Sequence, residues 1–180
     1  MKKVMLLVIV LTGMILVQGC GEPCVMFVQR PEFPVSEYVN IPKPGTGSAT
    51  VKGQVFMRTI VGDVKHGAGS TVTLNPVTSY STAAYEVIGN FIFDNSRFPV
   101  CPFPTLSEPD KRYVEYWCEQ QADAEGKFEF VNVPTGEYFV NSSVVWLVPS
   151  GNYISYPQGG TITKRVTVKD NETVQIMLTR

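Results

Sequence analysis

Histidine is almost absent from this 180-residue chain, which has only His66. One imidazole excludes a multi-histidine metal site. It also leaves any Ser-His-acid triad resting on a residue in a glycine-rich loop, where a solvated side chain is the plainer reading. The four cysteines contain no CxxC pair, so they offer zinc no finger-like ligand set. No glycine-rich loop has the spacing that cradles phosphate. Asp94, Glu108 and Asp110 match no calcium loop and read as caps and dipole partners near a helix start. Charge is sparse too: 17% of residues are charged, the formal net charge is −1, and no basic cluster stands out. Nucleic acid is therefore not an expected partner. No apolar run is long enough to span a bilayer, since Val4 to Val17 falls short of the roughly 20 residues required. These absences point to a protein with no metal, no cofactor and no catalytic residues.

What the chain does contain starts at its N-terminus. Lys2 and Lys3 precede the apolar run, which ends in Val17-Gln18-Gly19-Cys20. Such a stretch fits the hydrophobic region of an export signal, and its last four residues resemble a bacterial lipobox. The resemblance implies a signal peptide over 1–19 and lipidation (palmitate among the acyl chains) of Cys20 as the first mature residue. Several acyl chains hold a protein stably at a membrane surface. Gly21, rather than Asp, implies the outer membrane, with the body facing the periplasm. An ordinary cleaved signal with Cys20 in a disulfide, or an uncleaved anchor, stay open as alternatives. Removing 1–19 takes away Lys2 and Lys3 and no acid, so the formal charge moves from −1 to −3. In this setting the sequons at Asn141 and Asn171 are coincidental.

With Cys20 acylated, Cys24, Cys101 and Cys118 remain, an odd number for an oxidising compartment. Cys101 and Cys118 flank one irregular segment and are expected to pair, stabilising the fold by about 3 kcal/mol through loop closure. Cys24 is then left free, or paired with another protein, or it displaces one of the other two.

The 13 prolines and 15 glycines, with many Thr, Val, Tyr and Phe, suggest an all-β body with punctuated turns. Residues 20–47 carry Pro23, Pro31, Pro34, Pro42 and Pro44 and read as an extended tether, although Val25 to Val28 could form an edge strand. From Ala49, Val51, Gly53, Val55 and Met57 alternate with Lys52, Gln54, Phe56 and Arg58, which predicts a strand. Gly62 to Gly69 reads as a loop and Thr71 to Leu74 as a strand stopped by Asn75-Pro76. A helical turn is expected near Ala83 to Glu86. In the irregular segment 94–121, Ser107 is the expected N-cap of a short helix starting at Glu108-Pro109-Asp110. Tyr113, Trp117 and Gln121 would share one face of it. Such a face more often packs than binds, yet Tyr113, Tyr116 and Trp117 form a candidate ligand platform.

The second half repeats turn and strand. Asp123 to Gly126 is a turn, Lys127-Phe128-Glu129-Phe130 alternates, and Val133-Pro134-Thr135-Gly136 turns again. Strands follow at Glu137 to Val148, Arg165 to Lys169 and Thr173 to Leu178. The stretch Asp123 to Tyr138 resembles the D-x-x-G-x-F-x-F-x-x-(V/L)-P-x-G-x-Y signature of carboxypeptidase regulatory-like domains. Val51 to Val55 and Gly69 to Leu74 resemble that family's first two strands, and Arg165 to Val168 with Thr173 to Ile176 its last two. The resemblance covers 48–180 and implies a seven-stranded transthyretin-like or Ig-like β-sandwich, here with a short helical, disulfide-clamped insertion at about 94–121. It carries over no catalytic residue, because the signature describes a fold and not a site. The expected role is a non-enzymatic, lipid-anchored interaction or assembly module with an envelope protein partner. The alternative is a glycan- or peptide-binding accessory module using Tyr113, Tyr116 and Trp117.

Overall fold

The computed structural model describes residues 27–89, 92–93, 105–150 and 154–180. In chain order the elements are β1 (Phe27–Val28), α1 (Val35–Tyr38), β2 (Ala49–Arg58), β3 (Val64–His66), β4 (Thr71–Pro76), α2 (Ser79–Ile88) and β5 (Ile92–Phe93). They continue as β6 (Thr105–Leu106), α3 (Lys111–Val114), β7 (Cys118–Gln121), β8 (Lys127–Val133), β9 (Gly136–Ser150), β10 (Ile154–Val168) and β11 (Thr173–Leu178). Among the described residues the chain is mostly β, in two main sheets that do not close into a barrel. One sheet has the order β5-β10-β9-β4-β7. The other is built on β2, which pairs parallel with β11 on one side and antiparallel with β8 and then β3 on the other.

Alternation decides which side chains enter the space between the sheets. Val51, Val55 and Met57 of β2 are buried while Lys52 and Arg58 are exposed. Phe128, Phe130 and Val133 of β8 are buried in the same way. They meet Val72 and Leu74 of β4, Val140 and Val144 of β9, and Ile162 and Val168 of β10 in one cluster. Each fully buried aliphatic side chain there stabilises the fold by about 1.5–3 kcal/mol. Near its end β8 sets two residues, Val131 and Asn132, against Thr50 of β2, and Asn132 takes the left-handed conformation (φ 55°) that such a bulge uses.

Several expectations change. The segment read as a tether is packed onto the body from Phe27 onward: β1 pairs parallel with β6, and Phe33 and Tyr38 are buried. Proline density suggested a free chain, but the aromatic residues between the prolines outweigh it. Phe33, Tyr38, Tyr80 and Tyr113 form a second cluster, with Ile41, Tyr116 and Trp117 against it. Ser107 caps no helix, because its Oγ accepts the Arg30 N–H (2.9 Å) and its carbonyl accepts Arg30 Nε–H (2.8 Å). Asp110 caps α3 instead, accepting the Arg112 N–H at 2.9 Å. As α3 has four residues, Tyr113, Trp117 and Gln121 share no helix face, and Gln121 lies in β7.

The turn expected at Ala83 to Glu86 is the middle of a ten-residue helix, α2, started by a Thr78–Ser81 capping box. The loop expected over Gly62 to Gly69 contains β3. The late strand starts at Ile154 rather than Arg165, because Pro157, Gly159 and Gly160 hide its period without breaking it. Glycine is needed at 159 (φ 102°): a Cβ there would lie 2.0 Å from the Val144 carbonyl oxygen. No disulfide forms among the described residues, and Cys118 is a free, half-buried thiol whose pKa burial raises. Cys20, Cys24 and Cys101 lie outside the described residues, as does the signal segment. Among the described residues no helix is long and apolar enough to cross a membrane.

Candidate functional site

The outward faces of β11, β2 and β8 come into register as two rows. Gln175 pairs with Lys52, which pairs with Glu129; Met177 pairs with Gln54, which pairs with Lys127. Because side chains alternate along a strand, all six stand on the face away from the core. Between the rows is Gly53, where a Cβ would come within 2.1 Å of the Ile176 carbonyl oxygen, so only glycine lets β11 lie this close. Gln120 and Gln121 of β7 and Asp123 of the following turn add a wall. Together they line an open cleft of about 480 Å³.

Part of this lining is held in place. Asp123 Oδ1 accepts the backbone N–H groups of Lys127 and Glu125, each at 2.8 Å. These bonds, that of Lys127 first, lower the Asp123 pKa. Gln120 Oε1 accepts the Glu129 N–H (3.1 Å), and Gln54 Nε2–H donates to the Glu125 carbonyl (2.7 Å). Lys127 forms an ion pair with Glu125, and that bond raises its pKa. By contrast, the side chains of Lys52, Gln121, Glu129 and Gln175 make no hydrogen bond or ion pair among the described residues, and all line the cleft.

Free amides each offer both donors and acceptors. The one aromatic residue lining the cleft, Phe128, is buried at 5% exposure. Recognition here would rest on hydrogen bonds and charge, without ring stacking.

The residues singled out from sequence lie elsewhere. Tyr113 is 2% exposed, so it is not available as a contact surface. Its hydroxyl donates to Asn75 Oδ1 (3.1 Å), and its ring stands edge-on to Tyr80 (5.0 Å) and Trp117 (5.7 Å). Burial pushes its phenol pKa far up. Tyr116 and Trp117 are half-buried; Tyr116 tilts onto Tyr38 (4.9 Å) and carries the Lys43 ammonium 4.1 Å above its ring. The proposed platform is thus the rim of the second core. His66 is exposed on β3, with Nδ1 3.4 Å from Gln54 Nε2. Asp110 is held at a pKa of about 2 by its bonds to Arg112, while Asp94 lies outside the described residues. Among the described residues, no group of His, Cys, Asp and Glu could hold a metal ion.

From sequence, no site role was assigned to Lys52, Gln54, Gln120, Gln121, Glu129 or Gln175, which line this cleft. The one available signal was the polar half of each alternating strand, which any solvated sheet also shows.

No protein-family model matches the chain, and no curated protein does. Among solved structures, it is similar to a Pseudomonas aeruginosa protein described as a "putative carbohydrate binding protein". The TM-score is 0.71 and the identity 30%, over 84% of this chain and 99% of that one.

Proposed function

Because the chain belongs to the same family as that Pseudomonas aeruginosa protein, we propose that it is a non-enzymatic, lipid-anchored envelope protein that binds carbohydrate. Its site is the cleft on β11, β2 and β8. The observation that carries this reading is the set of unengaged polar side chains, Lys52, Gln121, Glu129 and Gln175, converging on one cleft whose rim is fixed by Asp123 and Gln120. Such a surface suits a hydroxyl-rich ligand better than an apolar one. The lipobox at Cys20 and the basic-apolar start support export and anchoring at the outer membrane, facing the periplasm. The signature over Asp123 to Tyr138 supports a carboxypeptidase regulatory-like module as the carrier of the site. Insertion residues contribute through Gln120 and Gln121, not through aromatics.

The test is a screen of envelope and extracellular polysaccharide fragments by backbone-amide NMR. Binding should move the amides of residues 52–54, 120–121 and 175. Lys52→Ala with Gln175→Ala should remove two polar contacts worth about 1 kcal/mol each, weakening binding about 10- to 30-fold with the urea midpoint unchanged. Shifts confined to the rim of the aromatic cluster, or no fragment bound, would refute the assignment. Co-purification with one envelope protein in the absence of glycan binding would favour the assembly reading instead.

A further inference from the structure

β1 and β6 form a sheet of their own, parallel and two residues long, with Phe27 level with Thr105 and Val28 with Leu106. Bonds just downstream carry the pairing on. The Ser107 N–H donates to the Val28 carbonyl (3.0 Å), the Arg30 N–H to Ser107 Oγ (2.9 Å) and Arg30 Nε–H to the Ser107 carbonyl (2.8 Å). This register bears on two cysteines that lie upstream, outside the described residues. Cys24 stands three residues before Phe27 and Cys101 four before Thr105. Continued upstream in this register, the two chains bring their cysteines within one residue of level. At about 3.6 Å per residue or less, Cys24 is within about 11 Å of Phe27 and Cys101 within about 14 Å of Thr105. Neighbouring strands lie about 4.8 Å apart, and one residue of stagger separates two Cα atoms by about 6 Å. A disulfide requires about 4.4–6.8 Å. Pro102 and Pro104 have no N–H to give a ladder, so the strict alternation that would turn the two side chains to opposite faces is not enforced there.

The third thiol is already accommodated. Cys118 opens β7 opposite Leu74 of β4 and packs against the main core. It lines a hollow of about 10 Å³ with Ile41, Pro42, Tyr116 and Tyr138. That is no more than the space one water needs, so no second cysteine side chain fits there. Burial also raises the pKa of this thiol, and the thiolate is the form that exchanges. We propose that the native disulfide joins Cys24 to Cys101 and leaves Cys118 reduced. The bond clamps the N-terminal segment to the insertion rather than closing the insertion on itself. Its formation takes two protons and two electrons from the thiols and passes them to a disulfide-bearing oxidant, which becomes a dithiol. That oxidant belongs to the export compartment, so the bond's presence in the cell rests on the export part of the proposed function, while the choice of partners does not. Cys24 lies between Cys20 and β1. A load on the anchor would thus reach the body through the disulfide, sparing a two-residue ladder that is marginal by itself.

The test is a peptide map of the full chain purified from membranes, with free thiols alkylated before digestion. Trypsin cuts after Arg97, Lys111 and Arg112, so Cys101 and Cys118 fall in different peptides. The expected result is one peptide pair joined through Cys24 and Cys101, with Cys118 alone of the three alkylated. Any link to Cys118 would overturn the proposal. The same chain, reduced, unfolded and refolded in a glutathione redox buffer, separates pairing from compartment. A link between Cys24 and Cys101 in the buffer, with all three thiols alkylated in the membrane-purified chain, would uphold the pairing and count against export. No such link in the buffer would overturn the pairing. Stability gives a second readout. Closing so long a loop should raise Tm by about 10 °C. Reduction, Cys24→Ser and Cys101→Ser should each lower Tm by about that much, and the double variant by no more. Cys118→Ser should keep its sensitivity to reduction; a variant that lost it would also overturn the proposal.

Discussion

Replacing Tyr38 by alanine removes a ring that is 2% exposed, stacked on Phe33 at 4.6 Å and set edge-on to Tyr113 at 6.2 Å. It also removes a hydroxyl 2.7 Å from Thr78 Oγ1. Truncating a buried aromatic ring costs about 3–5 kcal/mol, depending on how far the site collapses. The hydroxyl is the smaller part. Tyr38→Phe should cost about 1 kcal/mol or less, since Thr78 Oγ1 keeps the Ser81 N–H as a partner. At about 2–4 °C per kcal/mol for a domain of this size, Tyr38→Ala should lower Tm by about 10 °C. Urea unfolding followed by tryptophan fluorescence can also show whether the two cores unfold together. Trp117 packs on the second cluster and Trp146 on the main one. Single Trp→Phe backgrounds therefore report on each core. Both probes should shift together, because Tyr113 bonds to Asn75 of β4 and Tyr38 to the cap of α2. A loss below about 1 kcal/mol in Tyr38→Ala, less than a buried ring should cost, would mean that 27–47 is a tether after all.

Two further predictions concern pH and backbone. Burial, the first cause in each case, raises the Tyr38 and Tyr138 phenols to about 12, above their ordinary value near 10. Since the folded values exceed the unfolded ones, the contribution of the protonated phenols is complete below about pH 10 and is lost as pH rises towards 12. The urea midpoint should therefore fall across that alkaline limb and fall less in Tyr38→Phe/Tyr138→Phe. A wild-type midpoint that stays flat there would contradict the burial argument. Gly53→Ala should cost about 2–3 kcal/mol, because its Cβ would meet the Ile176 carbonyl and β11 would have to move. The same change should weaken glycan binding by spoiling the register of Gln175 with Lys52. Unchanged unfolding would show that β11 can shift freely.

The strands legible in sequence are those whose alternation is local. β2 and β8 announce themselves because buried residues recur at period two between turns, as Val55 and Met57 do in β2 and Phe128 and Phe130 in β8. β10 was half missed because Pro157, Gly159 and Gly160 interrupt the pattern while the backbone continues to pair with β9. The N-terminal segment was misjudged for a different reason. Phe33 and Tyr38 find their partners, Tyr80 and Tyr113, about 40 or more residues away, and proline content reports nothing of that. The candidate site was hidden for the most general reason. Lys52, Glu129 and Gln175 are separated widely along the chain and become one row only when β11 pairs parallel with β2, and β8 antiparallel with its other edge. Every exposed strand has a polar side, so polarity alone cannot separate a binding face from a solvated one. Lys127 and Gln54 lie in the same rows and are tied to the Asp123 turn, whereas Lys52, Glu129 and Gln175 are left untied. A fixed rim around unengaged donors and acceptors is the arrangement that the proposed polar ligand would use.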